Sequence, residues 1–302
     1  MQRPAKPFTP VRFRLQPPKI MKVGIAGYGF VGKALNAALS DDVDVIKVDP
    51  KLNTSMKDLK DFNPEILFVC VPTPMQNDGN QNIKIVDEVL NEIINLNIEC
   101  LVVIKSTIHP GNIEALRNLY PSFVYNPEFL RENHAEQDFV NADLIVFGGD
   151  EKDTKLISHF YAQYTSCVCK DYVLTDHITA SLIKYTINSF LASKVVFFNE
   201  MHDLFKIHST NESWENFVSA ISKDKRIGSS HMSVPGPDGR YGFGGACFPK
   251  DTNAILKYAK SMNCDLNLIE ATIKINNKIR ESYDKLTDRE YAQNIKYNTE
   301  EE

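Results

Sequence analysis

The chain has 302 residues, 43% apolar and 24% charged, with 34 Lys/Arg against 39 Asp/Glu. At about 150 residues per domain that length fits two domains with a real core, which excludes a small disulfide-stapled scaffold. A net charge of −5 argues against a general nucleic-acid binder, and no run approaches the ~18 apolar residues of a membrane span. Six scattered cysteines (Cys70, Cys100, Cys167, Cys169, Cys247, Cys264) and no apolar signal-peptide core point to a reduced, cytoplasmic protein. Cys167-Val-Cys169 lacks the spacing and company of a zinc site, so no metal is expected.

Residues 1–20 carry five of the fifteen prolines, five Lys/Arg and no acid. They read as a disordered basic tail or, more sharply, as an arm for an anionic partner. Short apolar runs then alternate with helical patterns. The strand candidates are Met21–Ala26, Val43–Val48, Ile66–Val71, Leu101–Lys105, Phe123–Tyr125 and Leu144–Phe147. Such alternation predicts βαβ units and a parallel sheet, an α/β fold, over residues 21–174.

Residues 150–227 contain neither glycine nor proline. Ile178, Leu182, Ile183, Ile187, Phe190, Leu191, Phe198, Met201 and Phe205 follow a helical period and predict one long helix over about 175–207. A shorter helix follows at Trp214–Ser222. Residues 228–249 hold six of the fourteen glycines and three prolines, a long loop whose length favours function. Residues 250–302 read as helices fading into a polar tail. The expected organisation is therefore a sheet domain at 21–174, an all-helical domain at 175–290 and a polar tail at 291–302.

Gly27-Tyr28-Gly29-Phe30-Val31-Gly32 follows a strand and opens a helix. In that context G-x-G-x-x-G binds a dinucleotide. The first glycine permits the turn, the second lets backbone approach a pyrophosphate, and the third lets helix and strand pack. The helix N-terminus favours the phosphate charge. Asp49 ends the next strand, where a carboxylate accepts from the ribose hydroxyls and repels a 2′-phosphate, so NAD is expected over NADP.

Gly242-Phe-Gly-Gly-Ala-Cys247-Phe-Pro-Lys250-Asp251 is the most unusual segment. A cysteine among glycines is open to a substrate carbon, and a nearby cation favours the thiolate. The alternative is a buried, inert cysteine. Lys184 and Asn188 share one face of the long helix, facing either solvent or a polar cleft. Ser106-Thr107 and Asn126–Glu132 each follow a strand, at the end where open α/β sheets bind ligands. Glu128 and Glu132 could face one side of a helical turn. Cys100, Cys264, Trp214 and the histidines read as packing or surface residues.

Taken together, Gly27–Gly32, Val69–Pro74, Ser106–Gly111, Asn126–Glu132, Leu182–Lys194, Arg226–Gly228 and Gly242–Asp251 resemble, in order, the motifs of the UDP-glucose/GDP-mannose dehydrogenase family. The resemblance covers about residues 21–280 and is strongest to the UDP-glucose enzymes. It implies a Rossmann-like NAD domain followed by a helical dimerisation domain. It also implies NAD-dependent four-electron oxidation of a nucleotide-sugar C6 alcohol to a carboxylate, UDP-glucose to UDP-glucuronate.

Carried over by position, Cys247 captures the aldehyde as a thiohemiacetal that is oxidised to a thioester. Lys184 and Asn188 stabilise the reacting oxygen. Asp251 and a water held by Thr107 transfer protons, and Glu128 serves thioester hydrolysis. Pro72, Thr73, Thr107 and Lys250 join the glycine loop, Tyr28, Phe30, Val31 and Asp49 around the cofactor. Glu128, Phe129, Leu130, Glu132, Lys184, Asn188, Phe243 and Gly244 surround the substrate. Arg226 reaches the substrate of a neighbouring subunit, so a homodimer is implied, with no nucleic-acid or membrane partner.

Two departures stand out. The family continues into a third, nucleotide-closing domain, and the segment His231–Tyr241 is longer than in many members. An active enzyme of reduced size is therefore weighed against an NAD-binding dimeric chain that needs a separate nucleotide-binding domain, and against a dehydrogenase of another small alcohol.

Overall fold

A computed structural model describes residues 20–208 and 211–297. The expectations for the basic tail before Ile20 and for the last residues, Asn298–Glu302, lie outside the described residues. Strands β1 (Met21–Ala26), β2 (Val43–Val48), β3 (Ile66–Val69), β4 (Leu101–Ile104), β5 (Phe123–Tyr125), β6 (Val146–Gly148) and β7 (Val173–Thr175) form one sheet. Its order is β2-β1-β3-β4-β5-β6-β7. Helices α1 (Phe30–Ala38), α2 (Met56–Phe62), α3 (Lys84–Asn95), α4 (Pro110–Leu119), α5 (Ala135–Val140) and α6 (Glu151–Tyr164) flank it.

Side chains alternate across a strand, so successive residues feed different layers. Leu67 and Val69 join Val102, Ile104, Leu90 and Leu116 on one face. Ile66 and Phe68 join Val103, Leu35, Ile157 and Phe160 on the other. Both faces are covered, which is why these strands read as continuous apolar runs.

Two details differ from expectation. The sheet is not wholly parallel, because β6 pairs antiparallel to β5 at Tyr125 and Gly148. The intervening link carries α5 against α1 and re-enters the sheet from the opposite end. The seventh strand, β7, has only three half-exposed residues at the sheet edge, too few to show a period. The strand candidates ending at Val71 and Lys105 stop at Val69 and Ile104, and the last begins at Val146.

The long helix α7 (His177–Ile207) starts where Asp176 accepts from the Thr179 N–H at 2.9 Å. It runs for 31 residues, about 46 Å at 1.5 Å per residue. Helices α8 (Trp214–Ile221), α9 (Phe248–Ser261), α10 (Asn267–Arg280) and α11 (Asp288–Ala292) follow. Trp214 anchors α8 on Phe198 and Phe205 of α7.

The loop 228–249 is tied down by side chains distant in sequence. Asn199 accepts from the Gly242 N–H at 2.9 Å, Asn276 from the Phe243 N–H at 2.6 Å, and Glu290 from the Gly245 N–H at 3.2 Å. The expected polar tail from residue 291 is also corrected. Ile295 and Tyr297 are buried with Met75, and Thr287 and Glu290 form a capping box on α11. Those two apolar side chains dock an otherwise polar segment.

Candidate active site

The three glycines of the loop differ in what a side chain would meet there. Gly27 has φ +88, and a Cβ there would lie 2.7 Å from the Cys70 carbonyl oxygen. A Cβ on Gly32 would lie 2.4 Å from the Gly27 carbonyl oxygen, so only glycine lets α1 meet the turn. Gly29 meets nothing within 4 Å and leaves its backbone open on the cleft. No side chain caps α1, so its first N–H groups are free for an anion. The Asp49 carboxylate accepts from the Tyr28 N–H at 2.7 Å and the Lys51 N–H at 2.9 Å. It is thereby fixed beside the loop at the end of β2. An open glycine backbone, an uncapped helix and a placed carboxylate fit a dinucleotide.

A cleft of about 740 Å³ runs from this loop to the cysteine segment and is lined by Gly29, Asp49, Thr73, Thr107, Glu128 and Cys247. Phe30, Val31, Pro72 and Lys250 line it as well. Cys247 stands just before α9 and is half-buried. Burial, followed by the Glu128 and Asp251 carboxylates, pushes its thiol up to about 11, against the opposing pull of Lys250 and Lys184. The neighbouring lysines do pull toward the thiolate, as expected, but burial and the two carboxylates outweigh them. Lys250 donates to Asp251 Oδ1 at 2.5 Å and is largely spent on that carboxylate.

Lys184 and Asn188 lie one turn apart on the buried side of α7, where each meets a polar partner rather than solvent, and neither lines the cleft itself. Lys184 Nζ donates to the Glu128 backbone oxygen at 2.5 Å and lies 3.4 Å from Glu128 Oε1. It also sits 5.2 Å from the centre of the Phe129 ring. Desolvation pulls its pKa down, but Glu128, Asp251 and Cys247 together outweigh it and raise the value, so the amine stays charged. Asn188 donates to Asp251 Oδ2 at 2.6 Å. Asp251 is thus held between an amide and an ammonium, and it is 1% exposed. Glu128 accepts from the Leu130 N–H at 2.6 Å, which fixes the turn after β5.

Other expected residues stand apart. Arg226 is exposed and paired with Asp224 at 2.6 Å, away from the cleft within this chain. Glu132 is exposed and paired with Arg289 at 2.8 Å. Phe243 is buried with Ala192 and Val196. A Cβ on Gly244 would lie 2.4 Å from Glu290 and 2.6 Å from Arg280, so packing alone already requires glycine there.

Two residues escaped the sequence reading. Gln81 donates to the Thr107 carbonyl oxygen at 2.8 Å and accepts from the His109 N–H at 3.1 Å, which holds the strand-end turn. Lys105 lines the cleft and is 3% exposed, a lysine closing an apolar strand run. Among the described residues, no group of three or more His, Cys, Asp or Glu could hold a metal ion. None of their helices is long and apolar enough to cross a membrane.

Fold and cleft together define a Rossmann-like chain whose open glycine turn and cysteine loop line one cleft. Residues 51–165 match the NAD binding domain, and residues 178–278 the central domain, of the UDP-glucose/GDP-mannose dehydrogenase family, and the chain belongs to that family. It is 37% identical to a UDP-glucose 6-dehydrogenase of Rickettsia bellii over 222 residues, 71% of this chain and 49% of that protein. It is 29% identical to a UDP-glucose 6-dehydrogenase of Bacillus subtilis over 301 residues, 85% of this chain and 66% of that protein. A UDP-glucose dehydrogenase structure from Pyrobaculum islandicum superposes with TM-score 0.69 at 26% identity, covering 87% of this chain and 70% of that one. The chain thus spans about half the length of the Rickettsia relative it matches.

Proposed function

We propose that this chain carries the catalytic centre of an NAD-dependent nucleotide-sugar 6-dehydrogenase that oxidises UDP-glucose to UDP-glucuronate. The observation that carries the reading is that Gly29, Glu128 and Cys247 line one cleft. The family membership and the names of the relatives support the substrate class.

NAD⁺, when bound, supplies the hydride acceptor for both oxidations. Asp251 takes the C6 hydroxyl proton, and Lys184 and Asn188 stabilise charge on that oxygen. The Cys247 thiol then adds to the aldehyde. A sulfur–carbon bond forms, the thiol proton ends on the oxygen, and the resulting thiohemiacetal is again an oxidisable alcohol. Loss of the remaining C6 hydride, with the hydroxyl proton passing to Asp251 once that carboxylate has released the first, leaves a thioester. Glu128 takes a proton from water as the water oxygen bonds the acyl carbon, the carbon–sulfur bond breaks, and Cys247 is restored.

The assembly we propose is a homodimer built on α7. Leu182, Phe190, Phe197 and Leu204 are 43%, 63%, 55% and 48% exposed and recur every seven or eight residues along this helix, an apolar stripe without cover in one chain. A partner seated there is the context in which the exposed Arg226 could reach a second cleft.

NADH formation with UDP-glucose, GDP-mannose and free glucose tests the reading. UDP-glucose is expected to be used best and glucose not at all. Activity with free glucose would favour a small-alcohol dehydrogenase. NAD binding with turnover only on adding a separate nucleotide-binding domain would favour the dimeric cofactor-binding chain.

A further inference from the structure

Lys105 is a buried cation with neutral partners. Its Nζ donates to Asn126 Oδ1 at 2.8 Å and lies 3.4 Å from the Tyr161 hydroxyl. The ammonium also sits 5.3 Å from the centre of the Phe139 ring. Burying a charge against an amide and aromatic rings costs free energy that an apolar side chain would avoid. Packing alone therefore does not account for a lysine here.

Asn126 connects this ammonium to the chemistry. Its Oδ1 also accepts from Tyr161 Oη at 2.7 Å, and its Nδ2 donates to the Val146 oxygen at 2.9 Å. Only Pro127, with its fixed φ, separates Asn126 from Glu128. Fixing Asn126 thus aims the Glu128 carboxylate. Burial pulls the Lys105 pKa down, while Cys70 and Glu128 push back, so the Glu128 charge is felt at the amine. The cation that touches Glu128 directly, Lys184, is also the one assigned to the reacting oxygen. When Lys184 turns to that oxygen, the hydrogen bond from Lys105 to Asn126 still holds the turn that leads into Glu128.

We propose that Lys105 is a positioning residue for thioester hydrolysis, setting the Glu128 turn through Asn126. This rests on the roles given above to Cys247 and Glu128. It predicts an effect on the last chemical step and not on the two oxidations.

The test is rapid-quench turnover of the full chain with UDP-glucose and NAD⁺, comparing wild type, Lys105→Met, Lys105→Arg and Glu128→Gln. Lys105→Met should release the first two NADH at nearly the wild-type rate. Its steady-state rate should fall about tenfold, less than the ~10²- to 10⁴-fold contribution of a general base itself. The Cys247 peptide should carry the acyl mass, as in Glu128→Gln, and Lys105→Arg should recover part of the loss. An equal slowing of burst and steady state without adduct would overturn the proposal, as would wild-type behaviour. Should Lys105→Met fail to fold by circular dichroism, Asn126→Ser keeps the ammonium but cuts its link, and absence of adduct there overturns the proposal. If wild type and Glu128→Gln both consume UDP-glucose without any Cys247 adduct, the reading of Cys247 itself fails and this proposal falls with it.

Discussion

The two walls of the cleft are built on opposite principles. The glycine wall works by what is missing: Gly27, Gly29 and Gly32 remove side-chain bulk, and Asp49 is its placed carboxylate. The cysteine wall works by charge: Glu128 and Lys250 line the cleft with Cys247, Lys184 and Asp251 are paired with them, and each of the four is 7% exposed or less. A backbone cradle fails by steric intrusion, which weakens binding or folding. A charge cluster fails by leaving a partner unpaired, which strikes the chemistry. The same cleft should therefore respond to mutation in two distinct ways.

The sharpest break is expected at the thiol. Cys247→Ser should abolish uronate formation, measured by product chromatography, while NAD binding by calorimetry stays near wild type. Loss of both would join the walls into one structural unit. Next, Lys184→Met should lower kcat by about 10²- to 10³-fold, the usual cost of removing a donor to a developing oxyanion, with a smaller change in the KM for NAD⁺. Third comes the thiol's own titration. Because its value is raised to about 11, the thiolate is scarce at neutral pH. Iodoacetamide labelling of Cys247, followed by peptide mass spectrometry, should rise about tenfold per pH unit between 7 and 10. A plateau below pH 9 would mean that Lys250 and Lys184 outweigh burial.

The smallest effects should separate two glycines of one motif. Gly29→Ala points into open space, so melting temperature should hold while NAD affinity falls. Gly32→Ala drives a Cβ to 2.4 Å from the Gly27 carbonyl oxygen and should cost about 1–3 kcal/mol of stability by denaturant titration. Equal melting temperatures would contradict the division of labour within the loop.

The two walls also differed in how far the sequence revealed them. The glycine wall is local. Strand, turn and helix lie within Met21–Ala38, and the period-two and period-3.6 patterns carry their own geometry. Cys247, Lys184, Asn188 and Asp251 stood out as residue types in unusual places, but their pairing did not. Lys184 meets Glu128 across 56 residues, and Asn188 meets Asp251 across 63. Without that pairing, Lys250 looked like an activator of the thiol, although it is bonded to Asp251. The β6 direction depends on how a link crosses the sheet, and β7 is too short for a period. Lys105 passed as the end of a strand because its partners, Asn126 and Tyr161, come from later elements.

In the mechanism we propose, one cleft performs two successive oxidations on one carbon, with the glycine wall serving both and Cys247 holding the intermediate between them. The most direct test of that mechanism is the end-point ratio of NADH formed to UDP-glucose consumed by the wild-type chain. A ratio of two, with UDP-glucuronate as the product and no free aldehyde, is the predicted result. A ratio of one with aldehyde released would contradict it.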